Sequence, residues 1–235
     1  MGQNGRIIPS NESTLDHIFK EMLPFYTELP DMWRKRMLSS CQLNRFDKGT
    51  MLHAGEEQCS GLFVLVNGRV RAYMATEEGK NITLFRLMER DVCIFSASCL
   101  MNNITFDVHI LAETDVEAVR IPARLFDQLS KEEISVSNYT NELMESRMSD
   151  VMWVLEQIVF MSFDKRLGLF LLEQFQLEDT DTISMTQEEI AANLGSAREV
   201  VSRMLKYFAK EGIVEVMRGG VKLVSREKLM KITEK

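Results

Sequence analysis

The sequence predicts an α+β fold: an N-terminal antiparallel β-roll, one long helix, and a small helical module that closes on a β-hairpin. Three observations carry this. Short alternating runs with turn signals fill residues 45 to 122, a heptad pattern runs along 133 to 160, and two helix-start signatures stand at Thr186 and Ser196. With 235 residues and 45% hydrophobic content, the chain has room for a domain of about 150 residues and a second small one. The boundaries drawn from the pattern are 1–132, 133–161 and 162–235.

The chain opens on "MGQNGRIIPSNEST", which lacks the apolar core of a secretory signal; Arg6 stands where a myristoylation signal wants Ser or Thr. No apolar run approaches the roughly 18 residues of a membrane span, so a soluble cytoplasmic protein without membrane contact is expected. "LDHIFKEMLPFYTEL" and "DMWRKRMLSSC" read as short helices. "GLFVLVNGRVRAYM" then alternates at period two around Asn67-Gly68, a strong hairpin signal, and "TEEGKNITLFRL" repeats the device around Gly79. "TFDVHILAETDVEAVRIP" adds alternating strand before Pro122, and "ARLFDQLSKE" returns to helix. Such a series makes a compact antiparallel unit and not a βαβ fold.

Met144, Met148, Val151, Leu155 and Ile158 are spaced 4, 3, 4, 3 on a helix from about Glu133 to Phe160. A parallel homodimer across that seam is expected; packing on the chain's own β unit is the other reading. Ser162 looks like the N-cap of the next helix, "FDKRLGLFLLEQF", so Phe160 to Ser162 is the expected hinge.

In "TQEEIAANLG" Thr186 and Glu189 form a capping box, Gly195 ends the helix, and Ser196 with Glu199 spells a second box. Two short helices about a Gly turn make a helix-turn-helix, and "GIVEVMRGGVKLVS" supplies a hairpin around Arg218 that fits a wing. At about 100° per residue, Ala197, Val201, Met204, Leu205 and Phe208 share the core side of the second helix. Arg198, Glu199, Ser202, Arg203 and Lys206 form the opposite stripe, with Gln187, Ser196 and Arg218 beside it as further candidate DNA contacts. A solvated face would also be polar. Arg198, however, lies in the first turn, where the dipole disfavours a cation by about 0.3–1 kcal/mol and a phosphate or guanine would compensate. Glu199 has two readings, a local one with Ser196 and an i,i+4 pair to Arg203, and a DNA-reading one.

Net charge is −7, but residues 162–235 hold 12 basic and 12 acidic residues, so the excess acidity lies N-terminal to them. A neutral module with a local basic face remains compatible with double-stranded DNA. Cys41, Cys59, Cys93 and Cys99 are scattered, with no CxxC and no nearby His, so no metal site is expected and burial is the plain reading. No nucleophile elbow, P-loop, HExxH or dinucleotide fingerprint is present, so no catalytic residues and no enzyme are expected.

The β unit, long helix and winged helix-turn-helix, in that order, resemble the CRP/FNR transcription regulators over nearly the whole chain. The likeness is most specific at "TQEEIAANLGSAREVVSRMLKYF", where Arg198, Glu199 and Arg203 match the family's reading residues and Ser202 resembles a serine of the FNR branch. The resemblance implies that the arginines read guanine and the glutamate cytosine, in a half-site combining the preferences of both branches. It also implies a homodimer, RNA polymerase as a further partner, and an effector in the β-roll. The family's cyclic-AMP pairs fall on Ile94-Phe95, Phe106-Asp107 and Val151-Met152, which keep none of the ribose, phosphate or adenine ligands. An iron-sulfur cluster would need a tight cysteine group, absent before Cys41, and His53 and His109 are single histidines that do not suggest haem. The residues therefore point to a small, largely apolar or aromatic effector touching Phe95, Ser96, Phe106, Asp107, Val151, Met152 and Leu155. A plugged pocket without effector and a thiol switch at Cys93 or Cys99 stay open. So does another class: a ligand-binding or redox-sensing protein whose C-terminal module contacts proteins.

Overall fold

Gly68 turns the chain at φ +90°, where a Cβ would meet the Asp115 carbonyl oxygen at 2.2 Å, so only glycine fits the site that the sequence marks as a turn; the strands on its two sides join different sheets, however, and do not form the hairpin expected there. The computed structural model describes residues 5–54, 61–77, 80–94 and 107–234. Contacts divide the chain into two compact units, Met1–Met74 with Leu84–Val151, and Ala75–Thr83 with Met152–Lys235.

In the first unit, β1 (Arg6–Ile7) precedes α1 (Glu12–Met22), which Asn11 caps by accepting from the Thr14 N–H at 2.8 Å. A 3-10 turn over Pro24–Glu28 leads to α2 (Asp31–Ser40). The strands are β2 (Gln42–Phe46), β3 (Met51–Ala54), β4 (Leu62–Asn67), β5 (Val70–Ala75), β6 (Asn81–Leu87), β7 (Val92–Cys93), β8 (His109–Ala112) and β9 (Val116–Ile121), of which residue 75 of β5 and residues 81–83 of β6 group with the second unit. They form two sheets, ordered β1-β2-β9-β4-β7 and β3-β8-β5-β6, and the recorded pairings are antiparallel, as a roll requires. Leu62, Phe63, Val64 and Leu65 are all buried, so β4 is covered on both faces and departs from the alternating burial expected of it. The core continues through Phe19, Tyr26, Met37, Ile110 and Leu129. Helix α3 (Ala123–Glu132) follows Pro122, and the 27-residue α4 (Ile134–Phe160) begins in this unit and ends in the second.

The second unit holds the end of α4, then α5 (Phe163–Leu177), β10 (Thr182–Ile183), α6 (Gln187–Asn193), α7 (Arg198–Lys210), β11 (Val214–Met217), β12 (Gly220–Leu223) and α8 (Arg226–Glu234). Helix α4 stops at Phe160 and α5 starts at Phe163 with Ser162 as N-cap, the break expected there, although the Ser162 side chain makes no capping bond. Strands β11 and β12 form the wing around Arg218 and Gly219, and β10 pairs with β12 on its other side. Strands β1 and β10 and helix α8 had no expectation from sequence. Leu167, Leu171, Phe175, Ile190, Val201, Leu205, Phe208 and Leu229 close the core of this unit.

Candidate functional site

Helix α7 is built as a one-sided element. Val201, Leu205 and Phe208 are fully buried, whereas Arg198, Glu199, Arg203 and Lys206 are exposed and Ser202 is half-buried. Ala197, expected on the core side, is exposed: it is the helix N-cap in extended conformation, outside the helical angular register. Glu199 makes no ion pair with Arg203 among the described residues, so the local explanation for that acid is not realised. Gln187 is half-buried at the start of α6, and Arg218 is exposed at the wing tip.

The two helix starts differ. Thr186 and Glu189 make the full capping box, with Glu189 N–H donating to the Thr186 hydroxyl at 3.2 Å and Thr186 N–H to the Glu189 carboxylate at 2.7 Å. The expected second box is absent: α7 is capped by Ala197 without a side-chain bond. Ser196 instead donates its backbone N–H to the Ala191 carbonyl at 2.9 Å, closing α6 around Gly195 at φ +61° in the manner of a Schellman turn. That closure uses Ser196 one position too early to cap α7. From α5, the Arg166 guanidinium donates to the Leu194 carbonyl, satisfying an orphan acceptor at the end of α6; burial lowers the Arg166 pKa.

On α4 the apolar face divides. Met144 and Val151 pack against the core of the first unit with Tyr139 and Leu143, and Val136 is buried in that core. The expected seam through Met144, Met148, Val151, Leu155 and Ile158 is therefore rotated: two of its members are already occupied. Met148 (66% exposed), Met152 (49%), Leu155 (48%) and Val159 (58%) form an uncovered seam at spacing 4, 3, 4, flanked by exposed Ile158. Met152 and Leu155, expected as effector contacts, lie on this face. Val151 faces the roll, and Asp107 is exposed before β8. Phe95, Ser96, Phe106 and Cys99 lie outside the described residues.

The sequence reading missed Arg147. Its guanidinium lies over the Phe85 ring at 5.0 Å and pairs with Asp150 at 3.0 Å, while its buried Nε has no hydrogen-bond partner among the described residues. The signal was available: Arg147 falls four residues before Val151 and eleven after Val136, on the inward stripe of α4. Nearby in sequence, burial raises the pKa of Asp150. In the roll, Glu113 accepts from Arg69 Nε at 2.9 Å and Arg86 Nε at 2.8 Å. Arg71 stands over Tyr73 at 4.7 Å, and Tyr73 stacks on His109 at 5.1 Å. Burial, then Arg86, pushes the Arg71 pKa down to about 10, so the group stays charged near neutrality. Cys41 and Cys93 are buried, and burial pushes the Cys41 thiol up to about 12, well away from thiolate reactivity.

Residues 43–133 match the cyclic nucleotide-binding domain family, and residues 165–232 match the Crp-like helix-turn-helix domain family. The structure of a CRP/FNR-family transcriptional regulator from Eubacterium rectale superposes with a TM-score of 0.90 at 40% identity, over 92% of this chain and 100% of that one. This chain belongs to the CRP/FNR family. The cAMP-activated global transcriptional regulator Vfr of Pseudomonas aeruginosa is 24% identical over 192 residues, which cover 77% of this chain and 88% of Vfr. Electron transport regulator A of Shewanella oneidensis is 27% identical over 180 residues, 72% of this chain and 69% of that protein. These CRP/FNR relatives are transcription regulators and not enzymes, and the chain is accordingly a DNA-binding regulator of this type. Among the described residues, no helix is long and apolar enough to cross a membrane.

Proposed function

We propose that this CRP/FNR regulator works in the cytoplasm as a homodimer, joined along Met148, Met152, Leu155 and Val159 of α4. Each copy reads one half-site with α7, the half-sites lying about 34–36 Å apart. The observation that carries the reading is the state of α7: Arg198, Glu199 and Arg203 stand exposed opposite a fully buried apolar face, with no ion pair between the acid and its neighbouring base. Arg198 and Arg203 suit guanine O6 and N7, Glu199 suits the cytosine amine, and Ser202, Lys206, Gln187, Ser196 and Arg218 flank them toward the phosphates. RNA polymerase is the partner through which bound DNA becomes regulation.

The effector proposed for the β-roll is small and largely apolar or aromatic. Val151 and Met152 offer an adenine no hydrogen-bonding side chain, and the roll-facing Phe85 and Arg147 suit a ring carrying one acceptor group. The test of DNA reading is selection of bound duplexes from a random pool by the full-length protein, followed by single-base substitution. Arg203→Ala should lose about 1–3 kcal/mol of discrimination at one base pair. Equal weakening on every sequence would reject base reading by Arg203.

A further inference from the structure

Residues 81–83, at the start of β6, group with the second unit, and Ile82 and Thr83 engage the turn between α6 and α7. Ile82 forms an antiparallel bridge with Leu194, so the arm pairs backbone to backbone with the residue that ends α6. Beside it the Thr83 hydroxyl donates to Asn193 Oδ1 at 2.7 Å. The Ile82 side chain closes over Gly195, where an added Cβ would stand 3.0 Å from Ile82 Cδ1. Three consecutive residues of the turn, Asn193 to Gly195, are thus held by a segment more than a hundred positions away in sequence.

That turn lies directly before the DNA-reading residues. Gly195 precedes Arg198 by three residues, at most about 11 Å of chain. A recognition helix enters a major groove only about 12 Å wide with its first residues on the base edges, so the rim of the duplex must pass close to the turn. A strand already seated there competes for that space. The geometry points to an autoinhibitory latch: Ile82 and Thr83 at the start of β6 grip the α6–α7 turn and exclude duplex DNA until they are released. The latch rests on the assignment of α7 as the DNA-reading helix. A closed latch lowers apparent affinity by the fraction of molecules that are open, so a mutation that opens it tightens binding without touching the DNA-contacting side chains.

The test uses full-length protein and a duplex of about 30 base pairs, long enough for two half-sites, recovered by selection with the wild-type chain. Ile82→Ala combined with Thr83→Val removes the apolar contact and the hydroxyl bond; binding by fluorescence anisotropy should tighten about tenfold if closed molecules outnumber open ones by that ratio. A bracing role for the arm predicts weaker binding, so unchanged or weakened affinity overturns the latch. The opposite manipulation is a disulfide between Thr83→Cys and Asn193→Cys, in a chain with Cys59→Ser and Cys99→Ser. Residues facing across an antiparallel pair lie about 4.5–5.5 Å apart at Cα, within disulfide reach. The oxidised form should fail to bind and dithiothreitol should restore binding in the same sample, which separates latching from misfolding. Oxidised protein that binds as well as reduced protein overturns the proposal. Failure of both the wild-type chain and the Ile82→Ala, Thr83→Val variant to select any duplex would instead reject α7 as the reading helix, and the latch with it.

Discussion

Met148, Met152, Leu155 and Val159 on α4 are exposed, as are Arg198, Glu199, Arg203 and Lys206 on α7, yet the two faces lack cover for different physical reasons. Apolar surface left in water is unfavourable by about 25 cal/mol per Å², so the α4 face is an incomplete structure that association relieves. The α7 face is fully solvated and loses nothing by waiting. The first therefore calls for a permanent partner of its own kind, and the second for a conditional, charged one. The difference also separates the two inward stripes: α4 shares its apolar residues between its own core and the seam, whereas α7 commits Val201, Leu205 and Phe208 wholly to its core.

The largest effect follows from breaking the α4 face. Leu155→Asp should give a monomer in sedimentation and reduce affinity for a two-half-site duplex by about 10²–10⁴-fold, since the second half-site is no longer tethered. Val151→Asp should act differently, lowering the melting temperature through the core on which Val151 packs. If Met152→Asp, on the exposed seam alone, stays dimeric while Val151→Asp separates the copies, the seam runs where the heptad spacing first put it.

Changing the α7 face should alter selectivity more than assembly. Glu199→Ala keeps the dimer and the melting temperature, because the carboxylate makes no hydrogen bond or ion pair among the described residues. It should lose about 1–3 kcal/mol of preference for cytosine at one position while binding other sequences no worse, the removal of an acid facing a polyanion offsetting the lost bond. A uniform loss of affinity on all duplexes would mean that Glu199 acts through the helix and not through a base.

These contrasts explain what could be read without coordinates. The turn at Gly68, the capping box at Thr186 and Glu189, and the buried Val201, Leu205 and Phe208 of α7 are local patterns, and each is realised; the hairpin read from Asn67-Gly68 is not, because β4 pairs with β9 and β5 with β8, a long-range choice that a turn signal does not carry. The orientation of α4 was not legible, because Met144 and Met148, or Val151 and Leu155, are only about 40° apart around a helix and equally apolar. Spacing cannot say which of each pair meets the chain's own core. Arg147 was readable in principle as a charge on an inward stripe, but the apolar seam beside it drew the reading outward. The Thr83 and Asn193 contact, 110 residues apart, leaves no local trace at all.

The smallest predicted effect tests the difference between the two helix starts. Thr186→Ala removes a cap that is fully made and should lower stability by about 1 kcal/mol in urea melts. Ser196→Ala removes a side chain that caps nothing, since the Ser196 backbone closes α6 and Ala197 begins α7, so stability should change by no more than about 0.5 kcal/mol. Equal destabilisation by both would restore the second capping box and give α7 a start one residue earlier. The distinction matters on DNA. Without a side-chain cap, the Arg198 and Glu199 N–H groups of α7 have no hydrogen-bond partner among the described residues and can meet a phosphate, which is where an anion is held best on a helix, whereas the Val200 N–H already donates to the Ala197 carbonyl. Installing a cap with Ala197→Asp should therefore stabilise the free protein and weaken DNA binding together, a trade that a merely structural helix start would not make.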